Sequence, residues 1–264
     1  MKVKKIIIIV LCVLLVTMLN IFNALKINPT QLTIREETLK SNKIDSSFDG
    51  LFIAYFSDLN YGGVIEENEL ANLVDTINAA NPDIVLFGGD LLYATSVDTD
   101  YIVDELSSIK SRIGKYAVLG EEDDTLSEDI LIESGFEILD SENIQIYTKS
   151  GSSINLVGIG SNGNASDAIA GLSDAYTICL CHYPDSATNV TGADYILAGH
   201  SLGGRVYIPL ISTFLRPNGA SKYYRSKHSV NGATLDITNG VGTKEKSARF
   251  LADAEVVFYK LEAN

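Results

Sequence analysis

The sequence predicts a layered α/β domain built around a central sheet. Three consecutive units each pair a short apolar run with a segment whose apolar residues recur every three or four positions. The predicted strands of these units cover residues 51–56, 84–87 and 116–119, and the predicted helices cover 66–80, 101–113 and 127–134. Strands that alternate with helices in this way are typical of α/β domains.

Past Gly135 the predicted strands are shorter. They cover residues 137–139, 144–148, 154–159, 176–181, 195–198, 206–211, 233–237 and 256–261, with one short helix at 167–172. Of the 264 residues, 46% are hydrophobic, which is enough to bury a substantial core.

The N-terminal segment is predicted to be a membrane anchor. Residues 6–25 contain no charged side chain, and about 20 apolar residues cross a bilayer core. A small-residue cleavage site is not evident, which favours an uncleaved anchor over a secretory signal, although cleaved secretion stays open as the alternative. Lysines concentrate before the run, so residues 1–5 are expected in the cytoplasm and the domain outside the cell membrane. Residues 26–47 are expected to form a linker or first strand, and 48–264 the domain.

The composition restricts the partners. A formal net charge of −14 argues against a nucleic-acid partner, because phosphate binding depends on Lys and Arg. The same charge would repel a phosphorylated substrate unless a metal or a local basic patch offset it. Of the three cysteines, Cys12 lies in the anchor, while Cys179 and Cys181 share one face of a predicted strand as core thiols. The fold is therefore not expected to depend on disulfides.

Five predicted strands end in a residue that can bind a metal. These residues are Asp58, Asp90, Glu121, His182 and His200. In a layered α/β sheet the ligand site lies beyond the carboxyl ends of the strands. Two of the three histidines of the chain are among them, so a shared site explains the pattern better than five separate caps or structural residues.

Residues 199–204 allow two interpretations. Gly199, Ser201 and Gly203 fit the nucleophile elbow of an α/β-hydrolase, whereas His200 fits a metal ligand at a strand end. Such a hydrolase presents its acid between the nucleophile and the histidine, and no Asp or Glu separates Ser201 from His228. An elbow also opens into a helix, and the residues that follow are β-like. The serine esterase remains only a remote alternative.

The order of these motifs resembles the calcineurin-like metallophosphoesterases, in particular their bacterial branch with an N-terminal membrane anchor. The matching stretches are residues 56–60 (FSDLN), 88–91 (GGDL), 115–120 (KYAVLG), 182–185 (HYPD) and 198–204 (AGHSLGG), and the match continues through 208–209, 217–223 and 240–243. It covers residues 48–261. The resemblance implies a four-layer α-β-β-α sandwich with two mixed sheets between helices, and metal-dependent hydrolysis of phosphoric esters such as phosphodiesters.

The resemblance also implies two metal sets that share Asp90. Carried onto this chain, the first set is Asp58, Asn60, Asp90 and Leu202, and the second set is Asp90, Glu121, His182 and His200. The first set lacks both family histidines, at Asn60 and Leu202, which leaves Asp58 as a weak ligand and a second metal in doubt. The second set suits one divalent transition metal, namely Zn²⁺, Mn²⁺ or Fe²⁺.

The resemblance also implies that Asp58 and Glu122 occupy catalytic positions of the family. Glu122 stands where the family has a histidine, and a carboxylate near a phosphoryl group costs Coulomb energy. Two hypotheses follow: a fold that binds a phosphate ester with hydrolysis weakened or lost, as in a pseudoenzyme, or an active phosphoesterase with an unorthodox metal site.

Positive charge concentrates after the last motif. Arg205, Arg216, Lys222, Arg225 and His228 are candidates for binding an anion. The alternative is a solvated loop. If the patch faces the strand ends, it would hold a phosphorylated small molecule or a lipid headgroup.

Overall fold

Two six-stranded mixed sheets pack face to face in the computed structural model, which describes residues 2–94, 96–208, 211–212, 216–244 and 248–264. The helices are α1 Lys2–Lys26, α2 Glu67–Ala80, α3 Thr99–Ser107, α4 Thr125–Glu133 and α5 Ala165–Ala168. The strands are β1 Thr33–Ser41, β2 Phe52–Phe56, β3 Ile84–Phe87, β4 Gly114–Ala117, β5 Phe136–Ile138, β6 Glu142–Tyr147, β7 Ser153–Ile159, β8 Thr177–Cys181, β9 Tyr195–Ala198, β10 Ser226–Val230, β11 Ala233–Ile237 and β12 Glu255–Ala263.

Each sheet has a parallel centre with antiparallel pairs added. The first runs β1-β12-β2-β3-β4-β5, with β12 and β2 antiparallel. The second runs β10-β11-β9-β8-β7-β6, with antiparallel pairs at both edges. This is the mixed α/β architecture expected for the metallophosphoesterase fold.

Alternation along the strands creates the layers. In β2, Ile53 and Tyr55 pack between the sheets, whereas Ala54 and Phe56 face the apolar stripes of the helices. Leu197 of β9 meets the same inter-sheet core, and Ile196 lies on the outer face of the second sheet. The helical layer there is thin, since α5 and a 3₁₀ turn at Pro184–Asn189 are the helical segments beside it among the described residues.

The predicted strand at residues 206–211 is wrong for its described part. Val206 forms a single bridge with Phe250, and the Ile208 amide donates to the Ser212 hydroxyl at 2.8 Å instead of to a neighbouring strand. Pro209 lies outside the described residues.

Strand β10 was missed because Ser226, Lys227 and His228 give it little hydrophobic pattern. Its turn did carry a signal: Asn231-Gly232 links β10 to β11, and both residues have positive φ, 52° and 89°. Asn-Gly is the dipeptide that favours this hairpin turn.

Helix α3 also ends earlier than its apolar spacing suggests. The Lys110 amide donates to Asn78 Oδ1 at 2.7 Å and the Ile113 amide to the Asp83 carbonyl at 2.8 Å, so the chain leaves the helix for β4. Ile109 still reaches the core, which is why it extended the helical pattern.

Helix α1 is long and apolar enough to cross a membrane. Within Val3–Lys26, an 18-residue window has a mean hydropathy of 2.8 and contains no buried residue. A signal sequence passes the same test. After α1 the chain enters β1, which pairs in parallel with β12 over its whole length.

Candidate metal centre

The ends of five strands carry the polar residues of the candidate centre. Asp58 and Asn60 follow β2, Asp90 follows β3, Glu121 follows β4, His182 follows β8 and His200 follows β9. Because β2, β3 and β4 are parallel neighbours in one sheet and β8 and β9 in the other, their carboxyl ends meet in one region.

Asp90, Glu121, His182 and His200 converge closely enough to hold one metal ion. Each offers a ligand atom, and these atoms all lie within 4.8 Å of one another. His182 Nε2 lies 2.6 Å from Glu121 Oε2 and 3.7 Å from Asp90 Oδ1, and His200 Nδ1 lies 3.0 Å from the Glu121 carboxylate. Two imidazoles and two carboxylates form a donor set that fits Zn²⁺, Mn²⁺ or Fe²⁺.

Second contacts orient both imidazoles. His182 Nδ1 lies 2.7 Å from the Gly88 carbonyl, which makes Nδ1 the donor and turns Nε2 toward the carboxylates. His200 Nε2 lies 2.7 Å from the Asn218 carbonyl, and the His200 amide donates to Asp58 Oδ2 at 2.9 Å. Each ring therefore presents one nitrogen to Glu121.

The carboxylates and imidazoles shift each other's titration. Burial alone would lower the pKa of His182, but the hydrogen bond with Glu121 and the charges of Asp90 and Asp58 raise it to about 9. Burial alone would raise the pKa of Glu121, yet hydrogen bonds from both histidines hold it well below its ordinary value. Burial raises the pKa of Asp58.

Asp123 fixes the loops that carry the ligands, and sequence reasoning assigned it no role. Its carboxylate accepts hydrogen bonds from the amides of Asp90, Leu91 and Gly120 at 2.8, 2.7 and 2.7 Å. It therefore ties the end of β3 to the end of β4. Its place in the acidic run 121–124 was the available signal, but that run also fits a solvated loop.

Backbone strain accompanies the ligand positions. Asp58, Asn60, Asp90, His200 and Leu202 all have positive φ, between 46° and 63°. Non-glycine residues rarely adopt this conformation, and such residues concentrate at functional sites.

Lys244 is the second contributor that sequence reasoning missed. Its Nζ lies 2.8 Å from Glu122 Oε1, 3.4 Å from Asp90 Oδ2 and 3.4 Å from Glu121 Oε1. The sequence places a negative charge at Glu122 where the family has a histidine, and the structure pairs this carboxylate with an ammonium group.

The first metal set does not fit a transition metal. Asn60 is fully buried, and neither its Oδ1 nor its Nδ2 has a hydrogen-bond partner among the described residues. Leu202 offers no lone pair, and Asp58 Oδ2 already accepts from the Ser57 hydroxyl at 2.7 Å. The set therefore has no imidazole and few free carboxylate oxygens.

Four of the five predicted anion-binding residues line one cleft. Its volume is about 520 Å³, and its lining includes Tyr207, Arg216, Lys222, Tyr224, Arg225 and His228. The Arg216 guanidinium lies 4.6 Å from the Tyr224 ring centroid, and that of Arg225 lies 3.7 Å from the Tyr207 centroid. Arg205 is not among the lining residues; its backbone follows the 3₁₀ turn Leu202–Gly204.

Asp185 anchors the segment that leads from the metal centre to this cleft. Its carboxylate accepts from the amides of Ser221, Lys222 and Tyr223 at 2.8 to 3.0 Å. The same segment supplies the Asn218 carbonyl that contacts His200. Burial alone would raise the pKa of Asp185, but these hydrogen bonds lower it.

Replacing Asp185 by asparagine is expected to lower the free energy of unfolding at pH 7 by about 1 kcal/mol, a low value for a charged acceptor because the side chain is partly exposed. Because the folded-state pKa lies below the unfolded value near 4, this contribution is present above about pH 4 and is lost as the pH falls through the folded pKa. Urea unfolding should show a smaller difference from wild type at pH 3 than at pH 7. Asp174→Asn, which alters an exposed aspartate, is the control; equal stability of Asp185→Asn and wild type at pH 7 would contradict the assignment.

The described contacts do not assemble a serine triad. Ser201 Oγ accepts from the Gly203 amide, His228 Nε2 lies 3.0 Å from the Arg225 carbonyl, and Asp236 pairs with Arg35 Nη1 at 2.8 Å. Residues 202–204 form a 3₁₀ turn where an elbow would open into a helix.

The amino-acid sequence is similar to those of several named proteins. No protein-family model matches the chain. The chain is 24% identical over 253 residues to the uncharacterized metallophosphoesterase YkuE of Bacillus subtilis, covering 90% of this chain and 88% of the relative. It is 24% identical over 203 residues to the phosphodiesterase YaeI of Escherichia coli, covering 72% and 75%.

A third relative carries a membrane term in its name. The transmembrane protein with metallophosphoesterase domain of Danio rerio is 24% identical over 241 residues, which cover 81% of this chain. The chain spans about half, 54%, of that relative's length. Helix α1 gives this chain one segment that is long and apolar enough to cross a membrane.

Proposed function

We propose that this chain, which is similar to named metallophosphoesterases, belongs to the calcineurin-like metallophosphoesterase family and binds a phosphate ester through one divalent transition metal. Asp90, Glu121, His182 and His200 would hold this ion. The observation that carries the proposal is the convergence of their ligand atoms within 4.8 Å. A bound ion of this kind polarises a phosphoryl oxygen and lowers the pKa of bound water.

The surrounding residues prepare the site for one ion. The Gly88 carbonyl keeps a proton on His182 Nδ1, so that Nε2 is the nitrogen offered to the ion. Asp123 holds the backbone of Asp90 in place, and Asp58 holds that of His200. These contacts favour binding without rearrangement of the strand ends.

Hydrolysis is proposed to be weakened or lost. Asn60 and Leu202 stand where the first set of the family has its two imidazoles. Glu122 stands where the family has a histidine that stabilises the transition state or protonates the leaving group. The second candidate is an active phosphoesterase with an unorthodox site; the observation that favours it is the Lys244 ammonium 2.8 Å from Glu122, which restores positive charge there.

The ester is proposed to be a phosphorylated small molecule or a lipid headgroup. The basic cleft supplies two guanidinium groups, which suit phosphate oxygens. Helix α1 would anchor residues 48–264 at the outer face of the cell membrane and bring lipid-linked phosphates within reach.

The proposal predicts one tightly held metal ion per full-length chain. The chain in detergent is stripped with chelator, reloaded with Mn²⁺ and assayed for metal content, for binding of inorganic phosphate and for turnover of a generic phosphodiester. We expect one ion and phosphate binding that requires it, with little turnover. Phosphate binding unchanged by chelation would contradict the proposal, and rapid turnover would favour the second candidate.

A further inference from the structure

The Lys244 ammonium group contacts the carboxylate oxygen of Asp90 that does not face His182. Asp90 Oδ1 faces His182 Nε2 at 3.7 Å and accepts from the Glu122 amide at 3.2 Å. Asp90 Oδ2 faces Lys244 Nζ at 3.4 Å. The one carboxylate shared by both family metal sets therefore has a metal-ligand cluster at one oxygen and a fixed cation at the other.

The loop that carries Lys244, residues 239–244, is hydrogen-bonded to the residues that follow β2. The Gly242 amide donates to the Asp58 carbonyl at 2.7 Å and the Val241 amide to the Ser57 carbonyl at 2.9 Å. A side chain at Gly242 would collide with the Leu59 carbonyl, and one at Gly63 with the Thr243 carbonyl. The approach of this loop to the candidate centre is consequently built into the backbone.

A buried arginine braces the same loop. Arg249 is fully buried, and its Nη2 donates to the carbonyls of Gly240 and Gly242 at 3.1 and 2.8 Å. Its Nη1 donates to the Asn239 carbonyl at 2.9 Å. These hydrogen bonds hold carbonyls of residues 239–242, close before Lys244, against the interior of the protein.

The charges around Lys244 call for a cation. Asp90 is 1% exposed, and the Lys244 ammonium group also contacts the carboxylates of Glu121 and Glu122. Carboxylates this close repel one another unless a positive charge lies between them. In the family that charge is a metal ion, but the first set here lacks the imidazoles that would hold one. A lysine ammonium is a compact point charge with three donors, which matches three acceptor carboxylates.

We propose that the Lys244 ammonium group takes the place of a second metal ion, so that the centre contains one exchangeable metal and one covalently attached cation. The inference rests on the proposed function for the identity of the first cation. An ammonium group balances the carboxylates, but it offers no open coordination position for a water or a phosphate oxygen. Lys244 thus restricts the centre to one metal.

The test counts metal ions in the full-length chain in detergent. Wild type and variants are stripped with chelator, equilibrated with Mn²⁺ and assayed for bound metal by mass spectrometry. Lys244→Met removes the charge and keeps the stem, so Asp90 Oδ2 and Glu122 Oε1 lose their ammonium partner and become available to a second ion. We expect Lys244→Met to bind one ion more than wild type, and Lys244→Arg to match wild type because it keeps the charge.

The matched control is Lys40→Ala, which removes a lysine from an exposed ion pair with Glu262 and should leave the count unchanged. A second readout is the electron paramagnetic resonance of bound Mn²⁺, which should change from an isolated to an exchange-coupled signal in Lys244→Met, since Asp90 would bridge both ions. If Lys244→Met does not fold, Lys244→Gln takes its place.

The outcomes separate this inference from the proposed function. No gain in Lys244→Met relative to wild type, or two ions in wild type, overturns the inference. A wild type that binds no Mn²⁺ contradicts the proposed function. In that case, a gain of one ion in Lys244→Met would still support the role of the lysine. If Lys244→Met gained no ion either, the role of the lysine would be overturned as well.

Discussion

Replacing His182 by alanine is expected to weaken metal binding by more than about 100-fold, because removing a residue that merely orients a ligand already costs roughly 10–100-fold. His182 is fully buried, and its Nε2 faces both Glu121 and Asp90. Alanine would leave those carboxylates facing each other across a cavity, and His200 would be the one imidazole left in the group that lies within 4.8 Å.

Equilibrium dialysis against Mn²⁺ or Zn²⁺ measures this loss in the full-length chain. His228→Ala is the control, because it removes an imidazole that contacts the Arg225 carbonyl outside the metal centre. Circular dichroism must show that both variants keep the native helix and strand content. Undiminished metal affinity in folded His182→Ala would place the ion elsewhere and undo the proposed function.

The convergence of the four candidate metal ligands was predictable from the residues at which the strands end. Each of five apolar runs stops at a metal-binding side chain, and parallel strands bring such ends together regardless of loop length. That reasoning located Asp90, Glu121, His182 and His200 from runs separated by as many as 110 residues. It could not give the path of the loops after β3 and β4, which Asp123 fixes by accepting hydrogen bonds from three backbone amides.

Lys244 was beyond sequence reasoning for a physical reason. A lone lysine in a loop has no periodicity, and its position depends on contacts with residues 122 and 154 positions earlier, at Glu122 and Asp90. The same holds for Arg249, whose charge predicts exposure although the side chain is fully buried against carbonyls. Strand β10 was missed because edge strands rich in Ser and Lys lack the alternation that marks buried ones.

Restoring the family histidines is expected to create a two-metal hydrolase if the first site has only decayed. The variant combines Asn60→His, Glu122→His and Leu202→His with Lys244→Met, which removes the competing ammonium group. The backbone accepts these changes, since His200 itself has φ 63° and the positions of Asn60 and Leu202 have φ 46° and 52°. Histidine is among the residues that tolerate this conformation.

We expect this variant to bind two Mn²⁺ ions per chain and to raise kcat/KM for bis(p-nitrophenyl) phosphate by at least about 100-fold, the lower end of what a positioned acid or base contributes. The three histidine substitutions without Lys244→Met should give a smaller gain, because the ammonium group still occupies the second cation position beside Asp90. Adding Asp90→Ala to the full variant should abolish both the second ion and the turnover, since Asp90 belongs to both sets. Two bound ions without turnover would mean that the basic cleft and the surrounding loops, and not the metal ligands alone, have diverged from hydrolysis.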